Sequence, residues 1–144
     1  MTVAAILKTK GHEVVHVRPT DSVASVIGTL AEHRIGAALV LDQAEQLLGI
    51  VSERDIIRTL AAHGARALEM SAAQLMTTAL HIATPHTTTA EALALMTEGR
   101  FRHMPVMDRG ALVGLVSIGD VVKRRLTQQE QEVDSLKAYV AGNA

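Results

Sequence analysis

The sequence contains no cysteine and no tryptophan, one phenylalanine, one tyrosine and three prolines. Without cysteine there is no disulfide framework, no thiolate metal site and no cysteine nucleophile. Phe101 and Tyr139 are the only aromatic residues, too few for a platform on which exposed bases stack. The formal charge is −1, from 14 basic and 15 acidic side chains, so the basic excess that favours nucleic-acid binding is missing. No window approaches the ~18 consecutive apolar residues of a spanning helix. The opening stretch, Met1-Thr-Val-Ala-Ala-Ile-Leu-Lys, is too short to read as a signal peptide. These absences lead us to expect a soluble protein, cytoplasmic by default, with neither nucleic acid nor membrane as partner.

What the chain does have is self-similarity, which organises all of it. A shift of 66 residues lays Pro19 on Pro85, Ala24 on Ala90, Glu32 on Glu98, Arg34 on Arg100, Val40 on Val106 and Asp42 on Asp108. Beyond a polar turn the shift becomes 65, and Leu47, Gly49, Val51, Ser52 and Asp55 meet Leu112, Gly114, Val116, Ser117 and Asp120. A one-residue indel in a turn is inexpensive, because loops absorb insertions.

Each copy reads as strand, helix, strand, strand, helix. In the first, Val14, Val15 and Val17 suggest a strand ending at Pro19. Asp21 or Ser22 can cap a helix whose Val23, Val26, Ile27 and Leu30 follow helical spacing. Strands over 37–41 and 47–51 flank a turn at 42–46, and a helix covers about 54–62. In the second copy Thr88-x-x-Glu91 has the form of a capping box, with Ala92, Leu93 and Met96 on the buried stripe. Strands over 104–107 and 112–116 are joined by Asp108-Arg-Gly, and the closing helix starts near Gly119 or Asp120. The alanine-rich stretch 63–75 is a connector with Ser71 as a helix cap, and 128–140 continues as a polar-faced helix. The expected organisation is a first repeat at 7–62, the connector at 63–75, a second repeat at 76–126 and a terminal helix or tail at 127–144. Roughly 50 residues bury little alone; two copies that face each other share a core, giving an α/β (α+β) fold with a pseudo-twofold axis and two equivalent crevices.

Gly49-Ile-Val-Ser-Glu-Arg-Asp55 and Gly114-Leu-Val-Ser-Ile-Gly-Asp120 resemble the paired G-h-x-[ST]-x-x-D signature of cystathionine-β-synthase-type (CBS) domains. Arg100-Phe-Arg-His-Met-Pro-Val106 is similar to the family's basic approach to the second strand, and Lys10-Gly11 to the opening of small stand-alone CBS pairs. The resemblance implies a non-catalytic regulatory module that binds an adenine nucleotide, AMP or NAD(H), between its repeats. It implies that the motif aspartate holds the ribose hydroxyls, that the serine and the following helix start approach ribose or phosphate, and that the basic pair meets phosphate. Carried over, one site uses Arg102, His103, Ser117 and Asp120, with Lys10, Val14 and Val15 from the first repeat. The mirror site uses Ser52, Arg54 and Asp55, with Thr77, Leu80 and His81 across the cleft. Arg102-His103 aligns with Gly36-Ala37, so unequal sites are expected, the one around Asp120 preferred. Charge-assisted bonds to a carboxylate, a fork of arginine donors and a helix N-terminus all suit such a ligand.

Simpler roles compete. Both serines and both aspartates are residue types that lead at helix N-termini, so capping alone explains them singly. Phe101 reads as core, matching Ile35. His12 and His16 are four apart on an expected strand and need not converge, so no metal site is expected. Ser117 lies outside a nucleophile-elbow pattern, and no phosphate-cradling glycine loop occurs, so the chain does not read as an enzyme. A second functional reading is a structural dimerisation or interaction module with no physiological nucleotide. A homodimer is expected, since apolar helix faces such as that of 55–62 would be covered by a twofold copy. With no effector domain in this sequence, output would pass through an effector protein or through self-association.

Overall fold

The computed structural model describes residues 1–142; positions 143 and 144 of the expected terminal segment lie outside the described residues. The chain forms two compact units, one of 13–80 and one that joins 1–12 to the chain from His81 onward.

The first of these is built on a three-stranded sheet. Strand β1 (His16–Val17) pairs parallel with β2 (Ala37–Leu41), which pairs antiparallel with β3 (Leu47–Ser52). β2 is the buried centre of this sheet, apolar at every position and inaccessible along its length, as a strand covered on both faces must be. β1 is shorter than the run of valines suggests: Val14 and Val15 are only half-buried, and the ladder is confined to His16 and Val17. Helix α2 (Val23–His33) starts where Ser22 accepts from the Ser25 N–H at 3.1 Å. Asp21, the other candidate cap, instead accepts from the Arg18 N–H. Helix α3 (Glu53–His63) follows β3 directly, and a 3₁₀ turn (Gly64–Glu69) leads to a short helix α4 (Ala72–Leu75). Ser71 opens α4, with the Gln74 side chain accepting its N–H at 2.9 Å. Val17, Val23, Val26, Leu30, Val40, Val51, Ile56 and Leu75 form the core.

The second unit begins with helix α1 (Val3–Lys10) and resumes with α5 (Thr89–Gly99), β4 (His103–Asp108), β5 (Ala111–Ser117) and α6 (Ile118–Gly142). β4 and β5 are antiparallel across a tight turn in which Arg109 and Gly110 both have positive φ, at 52° and 81°. The first strand expected here is reduced to a single parallel bridge between Ala83 and Val106. Thr88 caps α5 by accepting from the Glu91 N–H at 3.0 Å, so half of the expected capping box is formed. The closing helix and the expected terminal helix are one continuous element of 25 residues. Val3, Ile6 and Leu7 of α1 join Met96, Met104, Val106, Val116 and Val121 in the core.

The repeat is visible in detail. Both first helices of the copies end on an arginine in the left-handed region, Arg34 at φ 54° and Arg100 at φ 56°. Both hairpins shift register at the same place, Val40/Leu41 and Val106/Met107. Each unit also takes up a segment from in front of the other copy. Thr2, just before α1, bridges to Thr88, as Ser71, just before α4, bridges to Ser22.

Candidate functional site

In the second unit the motif serine sits at the end of β5 and the motif aspartate in the first turn of α6. They bond reciprocally: the Ser117 N–H donates to Asp120 Oδ2 at 2.8 Å, and the Asp120 N–H donates to Ser117 Oγ at 3.1 Å. This closes the helix start with two donors that would otherwise be orphaned. The first unit has the same device, Ser52 N–H to Asp55 Oδ2 at 2.9 Å and Asp55 N–H to Ser52 Oγ at 3.3 Å. Both serine–aspartate pairs are therefore helix caps.

What surrounds the two carboxylates differs. Lys10, from the last turn of α1, donates Nζ to Asp120 Oδ2 at 2.6 Å and to the Leu115 carbonyl at 2.8 Å. Burial pushes the Asp120 carboxyl up, but the Lys10 hydrogen bond, the Ser117 N–H, the Lys10 charge and the Ser117 hydroxyl outweigh it and hold it below the ordinary aspartate value. Both of these hydrogen bonds, from Lys10 and from the Ser117 N–H, fall on Oδ2. At Asp55 the other oxygen is used, because Thr77 Oγ1 donates to Oδ1 at 3.1 Å. One aspartate thus has a lysine on Oδ2, and the other has a threonine on Oδ1.

The basic pair stands where the repeat alignment puts it. His103 is the register partner of Ser117, and the Arg102 carbonyl accepts from the Ile118 N–H at 2.8 Å. In the first unit Ala37 is the partner of Ser52, and the Gly36 carbonyl accepts from the Glu53 N–H at 2.9 Å. Gly36-Ala37 and Arg102-His103 are structural equivalents, with the Arg102 side chain exposed and His103 half-buried.

Of the residues expected at the preferred site, Lys10, Arg102, His103, Ser117 and Asp120 all belong to the second unit, whereas Val14 and Val15 belong to the first. Of the mirror set, Ser52, Asp55 and Thr77 are joined by hydrogen bonds. Arg54 is exposed and Leu80 half-buried in that unit. His81 falls in the other unit, stacked on Phe101 with ring centroids 4.4 Å apart. Two features of the site carry no sequence signal of their own. One is the Leu115 carbonyl that anchors Lys10; the other is His12, whose Nδ1 lies 2.8 Å from the Val113 carbonyl and ties the end of α1 to β5. A shallow hollow of about 560 Å³ is lined by Arg18, Pro19, Thr20, Asp42, Gln43 and Ala44, none of them expected at either site. Among the described residues no helix is long and apolar enough to cross a membrane.

Comparison with known proteins agrees with the repeat. The CBS domain family model matches twice, at residues 3–62 and 72–127. The CBS domain-containing protein CBSX3, mitochondrial, of Arabidopsis thaliana is 32% identical over 149 residues, covering 98% of this chain and 72% of that protein. The crystal structure of the CBS-domain containing protein ATU1752 from Agrobacterium tumefaciens superposes with a TM-score of 0.84 at 43% identity, over 86% of this chain and 92% of that one. A CBS-domain protein from Burkholderia ambifaria gives 0.83 at 39% identity, over 90% and 96%. In some longer Arabidopsis relatives the matched segment is only 20–22% of the length. The chain belongs to the CBS-domain family, of which it carries two copies in tandem.

Proposed function

We propose that this CBS pair is a regulatory module that binds an adenine nucleotide, AMP or the adenosine half of NAD(H), at the second repeat. The observation that carries this is the Asp120 carboxylate held on Oδ2 by Lys10 and the Ser117 N–H, at the strand end where Ser117 is the register partner of His103. A carboxylate accepts well from two vicinal hydroxyls, and a charged acceptor strengthens such bonds. The start of α6 presents the positive end of a helix dipole to an anion, and the exposed Arg102 offers a fork of donors to phosphate. Lys10 has a double role: it neutralises Asp120 when no ligand is bound and supplies a phosphate donor when one is. Regulation without an active site suits a chain whose motif serines are both engaged as caps.

Calorimetry with AMP and with adenosine tests this directly. Arg102→Ala should weaken AMP by roughly 1.5–3 kcal/mol, the worth of hydrogen bonds to a charged group, and leave adenosine nearly unchanged. Binding of AMP at about 100 times its dissociation constant should add about 2.7 kcal/mol of stability, read as a rise of several degrees in Tm. No heat and no shift with any adenine nucleotide at millimolar concentration would favour the alternative, an interaction module that works without nucleotide.

A further inference from the structure

We infer that the distal part of α6 pairs with the same helix of a second copy as a short, parallel, two-stranded coiled coil. This holds whether or not either aspartate binds a nucleotide. The helix has 25 residues, about 37 Å at ~1.5 Å per residue. Its packing on its own unit ends early, and from Gln129 to Gly142 every residue is exposed. That stretch is not uniformly polar. Val122, Leu126, Val133, Leu136 and Val140 are 41%, 55%, 50%, 62% and 60% exposed.

With Gln129 these positions are spaced four, three, four, three, four along the helix. This alternation keeps one seam turned toward a partner over successive turns. In heptad terms Leu126, Val133 and Val140 occupy a, and Val122, Gln129 and Leu136 occupy d. Valine at a with leucine at d, as at 133 and 136, favours two parallel strands.

The flanking charges identify the occupant as a copy of this chain. In a parallel pair, a g residue faces the e residue five positions on in the other helix. Arg125 then faces Glu130, and Glu132 faces Lys137, both opposite in sign and each occurring twice by symmetry. Antiparallel pairing of the whole seam would instead set Glu130 against its own copy and Lys123 against Lys137. Gln129 fixes the register further, because two level amides on the axis can each donate to the other's carbonyl.

The chain has no cysteine, so single substitutions in the full chain report on the pairing cleanly. Under mild oxidation at tens of micromolar, Gln129→Cys and Leu136→Cys should each yield a disulfide-linked dimer on a non-reducing gel. Gln131→Cys, on the outer face, should stay monomeric. Adding Glu132→Lys to Gln129→Cys should slow linkage several-fold, and adding Lys137→Glu as well should restore it. Linkage at Gln129→Cys without Leu136→Cys would mean antiparallel pairing and overturn the proposal. So would linkage at all three positions, at none, or at a rate indifferent to the charge changes.

Discussion

A Cβ built on Gly49 would lie 2.7 Å from the Thr77 carbonyl oxygen and 2.9 Å from Met76 Sδ; one on Gly114 would lie 2.6 Å from Leu7 Cδ2. The motif glycines therefore serve close approach: each lets a segment from in front of the other copy lie flat on its strand. Their neighbours differ in how readily they yield. A leucine end can rotate away, whereas a carbonyl engaged in a strand-like bridge with Ile50 cannot. Gly49→Ala should cost about 1–3 kcal/mol, the range for overpacking, and Gly114→Ala clearly less, as measured by urea unfolding of both variants. Asp120 adds a pH signature. Its carboxyl is held below the ordinary value of 3.8, so its contribution to stability is complete above that pH and is lost as pH falls through the lower folded value. Glu45, held down by Arg18, acts in the same direction. Lys10 is 37% exposed, so the ion pair is screened and worth at most about 1 kcal/mol. Melting curves from pH 6 to 2.5 should show Asp120→Asn losing less stability on acidification than the parent. Equal losses would mean that Lys10 does not hold the carboxylate in solution.

Helix α1 shows what an element can owe to residues distant in sequence. Its Val3, Ile6 and Leu7 are buried against β4, β5 and α6, more than 80 residues away, and its N-terminus is tied by Val3 N–H to the Thr87 carbonyl at 2.8 Å. Leu7→Ala should destabilise the chain by about 2–5 kcal/mol, as for other fully buried leucines, with a loss of Tm that calorimetry would detect. The substitution should also loosen Lys10 from Asp120, since Leu7 and Lys10 both sit on α1. A Leu7→Ala chain as stable as the parent would show that α1 does not pack there in solution. This pairing could not be read from the sequence, where periodicity is local and says which face is apolar but not what covers it. Elements whose signals are local were legible: the centre strand 37–41, the helices capped by Ser22, Ser71 and Thr88, and the two hairpins. Strand β1 was overestimated because three valines in four residues satisfy strand propensity without a full partner ladder. Glu91 failed to complete its box for the opposite reason: spacing offers a bond that an exposed side chain need not make. At the site, the serine–aspartate pairs were legible as caps from type and spacing alone. Lys10 with Asp120 and Thr77 with Asp55 came only through family resemblance, because a partner 22 or 110 residues away has no local pattern to betray it.

Duplication gives the whole molecule two equivalent frames, and divergence within them makes the repeats unequal. The first copy has Gly36-Ala37 where the second has Arg102-His103, and a threonine on Asp55 where the second has a lysine on Asp120. If nucleotide binding follows these differences, titration should show one strong site per chain rather than two. Asp120→Asn should remove it, since the ribose hydroxyls lose a charged acceptor worth roughly 1.5–3 kcal/mol, a factor of about ten to a hundred in affinity. Asp55→Asn should leave the affinity within about twofold. The pair controls for capping, because both aspartates accept the N–H of a motif serine at nearly the same distance, 2.9 and 2.8 Å. Asparagine keeps an amide oxygen that can accept the serine N–H, so the cap contribution lost to each substitution should be small and similar, and only affinity should separate the two. Thr77→Ala sharpens the comparison, because it opens Asp55 Oδ1 without touching its cap. A second, weaker site should then appear in the titration, still lacking a basic pair and therefore accepting adenosine about as well as AMP. Should Asp55→Asn abolish binding while Asp120→Asn spares it, the nucleotide belongs to the first repeat, and the lysine beside Asp120 has a purely structural task.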